Sequence, residues 1–177
     1  MTIAEFDHLP EEKKKELLLQ CCGAAEWIQK MLPIFPVEDL VELLEAAEDK
    51  WSQCTAESWR EAFAHHPKIG DIDSLKEKFA STSGWASKEQ SGVNNADENT
   101  LDELNDYNSK YQDKFGYIFI ICATDLTATT MLKALKERIF NVEEIEINNA
   151  AAEQLKITKL RLEKLFDVNK SKQTYEL

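Results

Sequence analysis

Only one stretch of this 177-residue chain reads as a β-strand, and it has no second strand to pair with. Tyr117-Ile118-Phe119-Ile120-Ile121-Cys122-Ala123 is apolar, β-branched and of strand length, yet such a run can equally be buried helix. A lone strand would leave its backbone donors and acceptors unsatisfied. The run is therefore expected to be a buried helix or an extended core segment. Elsewhere helix formers dominate and glycine is limited to five residues, which favours helices joined by short connections. The predicted fold is all-α, a single-domain bundle of about seven to nine helices.

Apolar periodicity places those helices. Pro10 before Glu11 and Glu12 marks a helix start, and Leu17, Leu18, Cys21, Cys22, Ala25 and Ile28 recur on one face. Leu40, Leu43, Leu44, Ala47 and Trp51 form a second stripe. Trp59 and Phe63, four apart, place a short helix just before His65-His66-Pro67. Leu101, Leu104, Asn108, Tyr111 and Phe115 trace a longer one with a single polar intrusion. Thr127 can cap a helix carrying Met131, Leu132, Leu135 and Ile139, with Asn141 ending it. A final helix is expected from about Val142 to Phe166.

The length suits one domain with a real core, expected over residues 1–168, followed by a polar tail at 169–177. No apolar run approaches the ~20 residues of a membrane span. The start, Met1-Thr2-Ile3-Ala4-Glu5, lacks the basic and apolar features of a signal peptide, so the cytoplasm is the expected location. With 21 Lys+Arg against 33 Asp+Glu, the net charge of −12 argues against nucleic acid as a partner. An anionic substrate would need local cationic or hydrogen-bonding groups to capture it against that field. Cys21, Cys22, Cys54 and Cys122 form no Cys-x-x-Cys pair, and no histidine sits at metal-ligand spacing. Buried thiols are expected rather than a metal site. The glycine-rich nucleotide loops and the Gly-x-Ser-x-Gly of hydrolases are absent.

Three places break their local pattern, and such breaks concentrate at functional sites. The first is His66, held by Pro67 at a helix exit in a chain with only three histidines. Its side chain titrates nearest neutral pH, and the proline restricts its backbone, which suits proton chemistry. The second is Glu89, inside the short island Gly84-Trp85-Ala86-Ser87-Lys88-Glu89-Gln90-Ser91-Gly92 between loop-forming residues. The third is Arg161. Ile147, Ala150, Gln154, Ile157, Arg161 and Leu165 share one helix face, and a guanidinium in that stripe either snorkels to solvent or receives an anion.

Together these pieces resemble the 2-oxo-4-hydroxy-4-carboxy-5-ureidoimidazoline (OHCU) decarboxylase family of urate degradation. The resemblance runs, in order, through His66-Pro67-Lys68-Ile69-Gly70, Glu89-Gln90-Ser91-Gly92, Asn108 to Tyr111, Lys114 to Ile120, Arg138-Ile139-Phe140-Asn141 and Lys156 to Leu162. It implies an all-α, cofactor-free, usually dimeric enzyme that releases CO2 from OHCU to give S-allantoin. It also implies His66, Glu89 and Arg161 as the catalytic residues. Substrate contacts are implied at Pro67, at Ala86, Ser87, Lys88, Glu89 and Gln90, and at Phe119, Ile120, Ile121, Cys122 and Ala123. Ala86 stands where relatives often carry serine, so that hydroxyl contact is either lost or supplied by Ser87, and neither outcome removes the three ionisable residues. Some relatives are fused to a transthyretin-like hydrolase that performs the preceding step, which makes such a hydrolase an expected functional partner.

The implied chemistry matches the residue types. Loss of CO2 beside an imine or carbonyl leaves an electron pair that the substrate's own ring can delocalise, followed by protonation from one face. Arg161 would bind an anionic edge of the substrate, Glu89 would orient His66 and favour its charged form, and His66 would move the proton. Two other classes accommodate parts of the sequence: a non-catalytic acidic helical interaction module, and a metal-dependent helical hydrolase. The first leaves Arg161 and His66-Pro67 without a role; the second lacks ligands.

Overall fold

The computed structural model describes residues 1–68 and 98–166. Among these residues the structure is all-α, as expected, with no strand. The described helices are α1 (Ile3–Asp7), α2 (Glu11–Cys21), α3 (Ala25–Met31), α4 (Leu40–Ser52), α5 (Ala56–Ala64), α6 (Glu98–Phe115), α7 (Ala128–Arg138) and α8 (Glu143–Leu165), with a 3-10 turn at Leu32–Ile34. They group into two compact units, one formed by residues 1–62 and 155–166 and the other by the described residues between 63 and 154. The expected polar tail at 169–177 lies outside the described residues.

In the first unit, local chemistry sets most helix ends. Thr2 and Glu5 form a reciprocal capping box on α1. Asp39 caps α4 by accepting from the Glu42 amide at 2.9 Å. The expected single apolar face from Leu17 to Ile28 is broken. Cys22 adopts extended geometry (φ −144°, ψ 122°), and α3 starts afresh at Ala25. The buried residues of that stretch are therefore divided between two short helices and the extended link that joins them, where Cys22 and Ala24 are fully buried. Its core gathers Phe6, Leu18, Trp27, Met31, Leu43 and Phe166, each fully buried. Burial of such a side chain contributes roughly 1.5–3 kcal/mol. Phe6 packs on Phe35 at 4.6 Å and edge-on to Phe166 at 5.2 Å, while the N-terminal ammonium donates to the Leu165 carbonyl at 3.0 Å. Trp27 donates its indole N–H to the Ala47 carbonyl at 3.1 Å, tying α3 to α4.

The second unit is built around aromatic rings. Tyr111 contacts Phe115, Tyr117 and Phe119 at centroid distances of 4.6, 5.9 and 5.2 Å, and Phe63 meets Tyr117 at 5.1 Å. Gly116 closes α6 in the left-handed region (φ +78°), its amide donating to the Gln112 carbonyl at 2.8 Å. Thr127 caps α7 as expected, by accepting from the Thr130 amide. That helix stops at Arg138 with Ile139 as its cap, slightly before the expected end at Asn141. Lys114 donates to the carbonyls of Ile139 and Asn141 at 2.7 and 2.9 Å, satisfying acceptors just beyond the helix.

Candidate active site

The strand-like run is neither helix nor strand. From Ile118 to Ala123 the chain is irregular, with Phe119, Ile120 and Ala123 buried and Ile121 and Cys122 half-buried. The buried-helix alternative is corrected, and side chains explain how: they take the place of a partner strand. Asn108 on α6 accepts from the Phe119 amide at 3.1 Å, and Glu153 on α8 accepts from the Cys122 amide at 2.7 Å. Arg138 at the end of α7 donates to the Ile120 carbonyl at 2.9 Å while stacking on the Phe119 ring at 4.5 Å. Three backbone groups of the implied substrate-contacting segment therefore serve the fold.

Arg138 is itself held by a buried network. Glu146, fully buried, accepts at Oε1 from Arg138 Nε and Nη2 at 2.8 and 2.6 Å and from the Tyr111 hydroxyl at 2.5 Å. Its Oε2 accepts from Asn141 at 2.7 Å. Burial, reinforced by the Glu146 carboxylate, pushes the Tyr111 phenol upward, so it stays a hydrogen-bond donor.

His66 follows α5 directly, its amide donating to the Phe63 carbonyl at 3.1 Å. The imidazole is only 9% exposed, whereas His65 faces solvent. Pro67, implied as a substrate contact, is buried beside it. Nε2 of His66 lies 2.6 Å from Oε1 of Gln154, a fully buried amide on α8. Because that oxygen only accepts, Nε2 is the donor. One turn of α8 thus fixes both the imidazole, through Gln154, and the irregular segment, through Glu153.

Arg161 belongs to the other unit. It is the half-exposed member of the stripe whose other residues are buried, and Nη1 donates to the Gln20 carbonyl at a long 3.4 Å. The neighbouring Cys22 thiol is pushed up to about 12, mainly by burial, and Cys54 to about 11 for the same reason. Both behave as packed thiols rather than nucleophiles. Among the described residues no cluster of three or more His, Cys, Asp or Glu could hold a metal ion, and no helix is long and apolar enough to cross a membrane. Ala86, Ser87, Lys88, Glu89 and Gln90 lie outside the described residues.

Gln154, Glu153, Arg138 and Glu146 have no site role in the sequence reading. Two left a signal: Gln154 is a polar residue on an apolar stripe, and Glu146 stands four residues before Ala150 on that same face. Glu146 was masked by Glu143 and Glu144, which make it look like a helix-start surface charge.

A buried imidazole at a helix exit, held against a neutral amide, and an apolar irregular segment tied to the same helix mark an all-α protein with a histidine-centred candidate site. The chain belongs to the OHCU decarboxylase family, whose model matches residues 7–163. It is 40% identical over 149 residues to the uric acid degradation bifunctional protein TTL of Arabidopsis thaliana, covering 82% of this chain and 45% of that protein. The decarboxylase of Amia calva is 31% identical over 98 residues, 55% of each chain. The chain thus spans about half the length of these curated relatives. Among solved structures, an OHCU decarboxylase crystallised with (S)-allantoin superposes with a TM-score of 0.71 at 37% identity, covering 84% of this chain and 96% of that one. An (S)-allantoin synthase at 19% identity, with a TM-score of 0.70 over 94% of this chain and 55% of its own, shares the fold.

Proposed function

We propose that this protein decarboxylates OHCU to (S)-allantoin in urate degradation, using its own side chains. The observation that carries the proposal is the buried His66 imidazole, locked by Gln154 in a chain that matches the decarboxylase family almost throughout. His66 acts as the acid/base group, Glu89 favours its charged form, and Arg161 receives an anionic edge of the substrate through its planar fork. Pro67, the residues from Ala86 to Gln90 and those from Phe119 to Ala123 line the substrate. The apolar side chains of that last segment exclude water while CO2 departs. The active domain extends over residues 1–168, works as a homodimer in the cytoplasm, and takes its unstable substrate from a transthyretin-like hydrolase.

Freshly made substrate tests this reading. Circular dichroism should show one-handed (S)-allantoin accumulating, unchanged by a chelator. Racemic product at the spontaneous rate would refute decarboxylation, and loss of activity with chelator would point to metal-dependent chemistry.

A further inference from the structure

We propose that Gln154 is a positioning residue that anchors Nε2 of His66 as a permanent donor, and so assigns the transferable proton to Nδ1. The inference rests on His66 being the acid/base group, but its first test needs no activity. Gln154 is fully buried, and its carbonyl oxygen lies 2.6 Å from Nε2. The Nε2 hydrogen exists in the neutral Nε2–H tautomer and in the imidazolium alike, so this bond survives the whole catalytic cycle. The ring therefore has no reason to turn as it charges and discharges.

The backbone is fixed from the other side. The His66 amide donates to the Phe63 carbonyl, and the buried Pro67 excludes helical geometry at His66. An amide carries no charge, so Gln154 orients the ring in both of its protonation states, and favouring the charged form is the role the proposed function gives to Glu89. Glu153, the preceding residue, holds Cys122, so the ring and the irregular segment share one rigid support.

In the proposed reaction the C–C bond to the carboxyl group breaks, CO2 leaves, and the bonding pair forms a C=C bond to the neighbouring ring carbon while the C=N pair moves onto nitrogen. The proton on Nδ1 of the imidazolium then moves to that former imine carbon, and the substrate hydroxyl becomes the new C=O as its proton passes to the ring nitrogen. The ring is left as the neutral Nε2–H tautomer and regains a proton from water before the next turnover. A ring held in one orientation delivers that proton to one face.

Histidine side-chain 15N NMR on the full chain reads the tautomer directly, with His66 assigned by its loss in His66→Asn. Above its titration the ring should be the Nε2–H tautomer alone. Gln154→Glu, which keeps an acceptor, should preserve it. Gln154→Leu should admit the second tautomer and lower kcat roughly tenfold or more, with KM within about twofold. An Nδ1–H tautomer in the unmodified protein, meaning that the amide is turned end for end and donates to Nε2, would overturn the proposal. So would a folded Gln154→Leu protein with unchanged kcat. If the unmodified protein makes no one-handed allantoin, the decarboxylase reading fails, while the tautomer still decides what Gln154 does.

Discussion

Replacing Glu146 by leucine should be among the most damaging single changes in the described structure. The carboxylate is fully buried, and removing it strands four donors at once: the Arg138 guanidinium, the Tyr111 hydroxyl, the Asn141 amide and, at a longer 3.4 Å, the Asn149 amide. Arg138, whose side chain is 15% exposed, would keep only its bond to Ile120 and its stacking on Phe119 among these contacts. Breaking a buried pair by deleting one partner costs about 3–5 kcal/mol, because the remaining charge is left uncompensated. Each orphaned neutral donor would add roughly 1–3 kcal/mol if it found no water, though the terms do not simply sum. Taking about 4 kcal/mol, and about 2–4 °C per kcal/mol at this chain length, Tm should fall by about 8–16 °C. Urea unfolding followed by far-UV circular dichroism measures the free energy directly. The companion test is the double variant Arg138→Met with Glu146→Leu. Removing both charges should recover at least about 2 kcal/mol relative to Glu146→Leu alone. A loss below about 1 kcal/mol, the range of an exposed ion pair, would show that the network does not act as a buried one. Simple additivity in the double variant would show that Arg138 and Glu146 are not coupled.

Other expectations follow from the same geometry. His66→Ala should lower kcat roughly 10²-fold or more, and a folded variant with normal turnover would remove His66 from the mechanism. Arg161→Lys keeps the charge but loses the fork, so KM should rise roughly tenfold; unchanged kinetics would leave Arg161 as a snorkelling surface residue. An added Cβ at Gly116 meets nothing within 4 Å, so Gly116→Ala pays only for its positive φ and should cost about 1–2 kcal/mol in urea unfolding. The Ser58 hydroxyl and the Thr55 amide hold the Glu26 carboxyl down to about 2. A depressed folded value means that its stabilisation is present above about pH 4.5 and is lost as pH falls toward 2. Urea midpoints of the natural chain and Glu26→Gln should therefore differ near neutral pH and converge in acid, whereas a constant difference would refute the assignment.

Helices were legible where one face alone decides burial. Leu43, Ala47 and Trp51 on α4, and Leu104, Asn108, Tyr111 and Phe115 on α6, are buried at the spacing the sequence displays. The break at Cys22 was not legible, because the cysteines and alanines on either side keep helical spacing through it. The irregular run was half legible. Its lack of a partner strand ruled out a sheet, but its true partners are side chains scattered over three helices, at Asn108, Arg138 and Glu153. Period-based reasoning has no means of pairing residues that far apart. His66 and Arg161 stand out by violating a local pattern, and Gln154 does the same on α8 as a polar residue in an apolar stripe. Glu146 did not stand out, since an acidic residue near a helix start is ordinary and only the fold reveals that it points inward.

The segment from Phe119 to Cys122 is gripped by its main chain, and grips of that kind are indifferent to what the gripped residues carry. Asn108, Arg138 and Glu153 would hold the same curve whether positions 121 and 122 bear isoleucine and cysteine or something bulkier, smaller or more polar. The contour of this wall and its chemical lining are thus set by different residues. If this segment lines the substrate as proposed, variation at the half-buried positions would retune which ureide is accepted without reshaping the scaffold, whereas a change in any of the three gripping side chains would deform the contour for every substrate alike. For anyone redesigning specificity, Ile121 and Cys122 are the positions to randomise and the three holders are the ones to leave untouched.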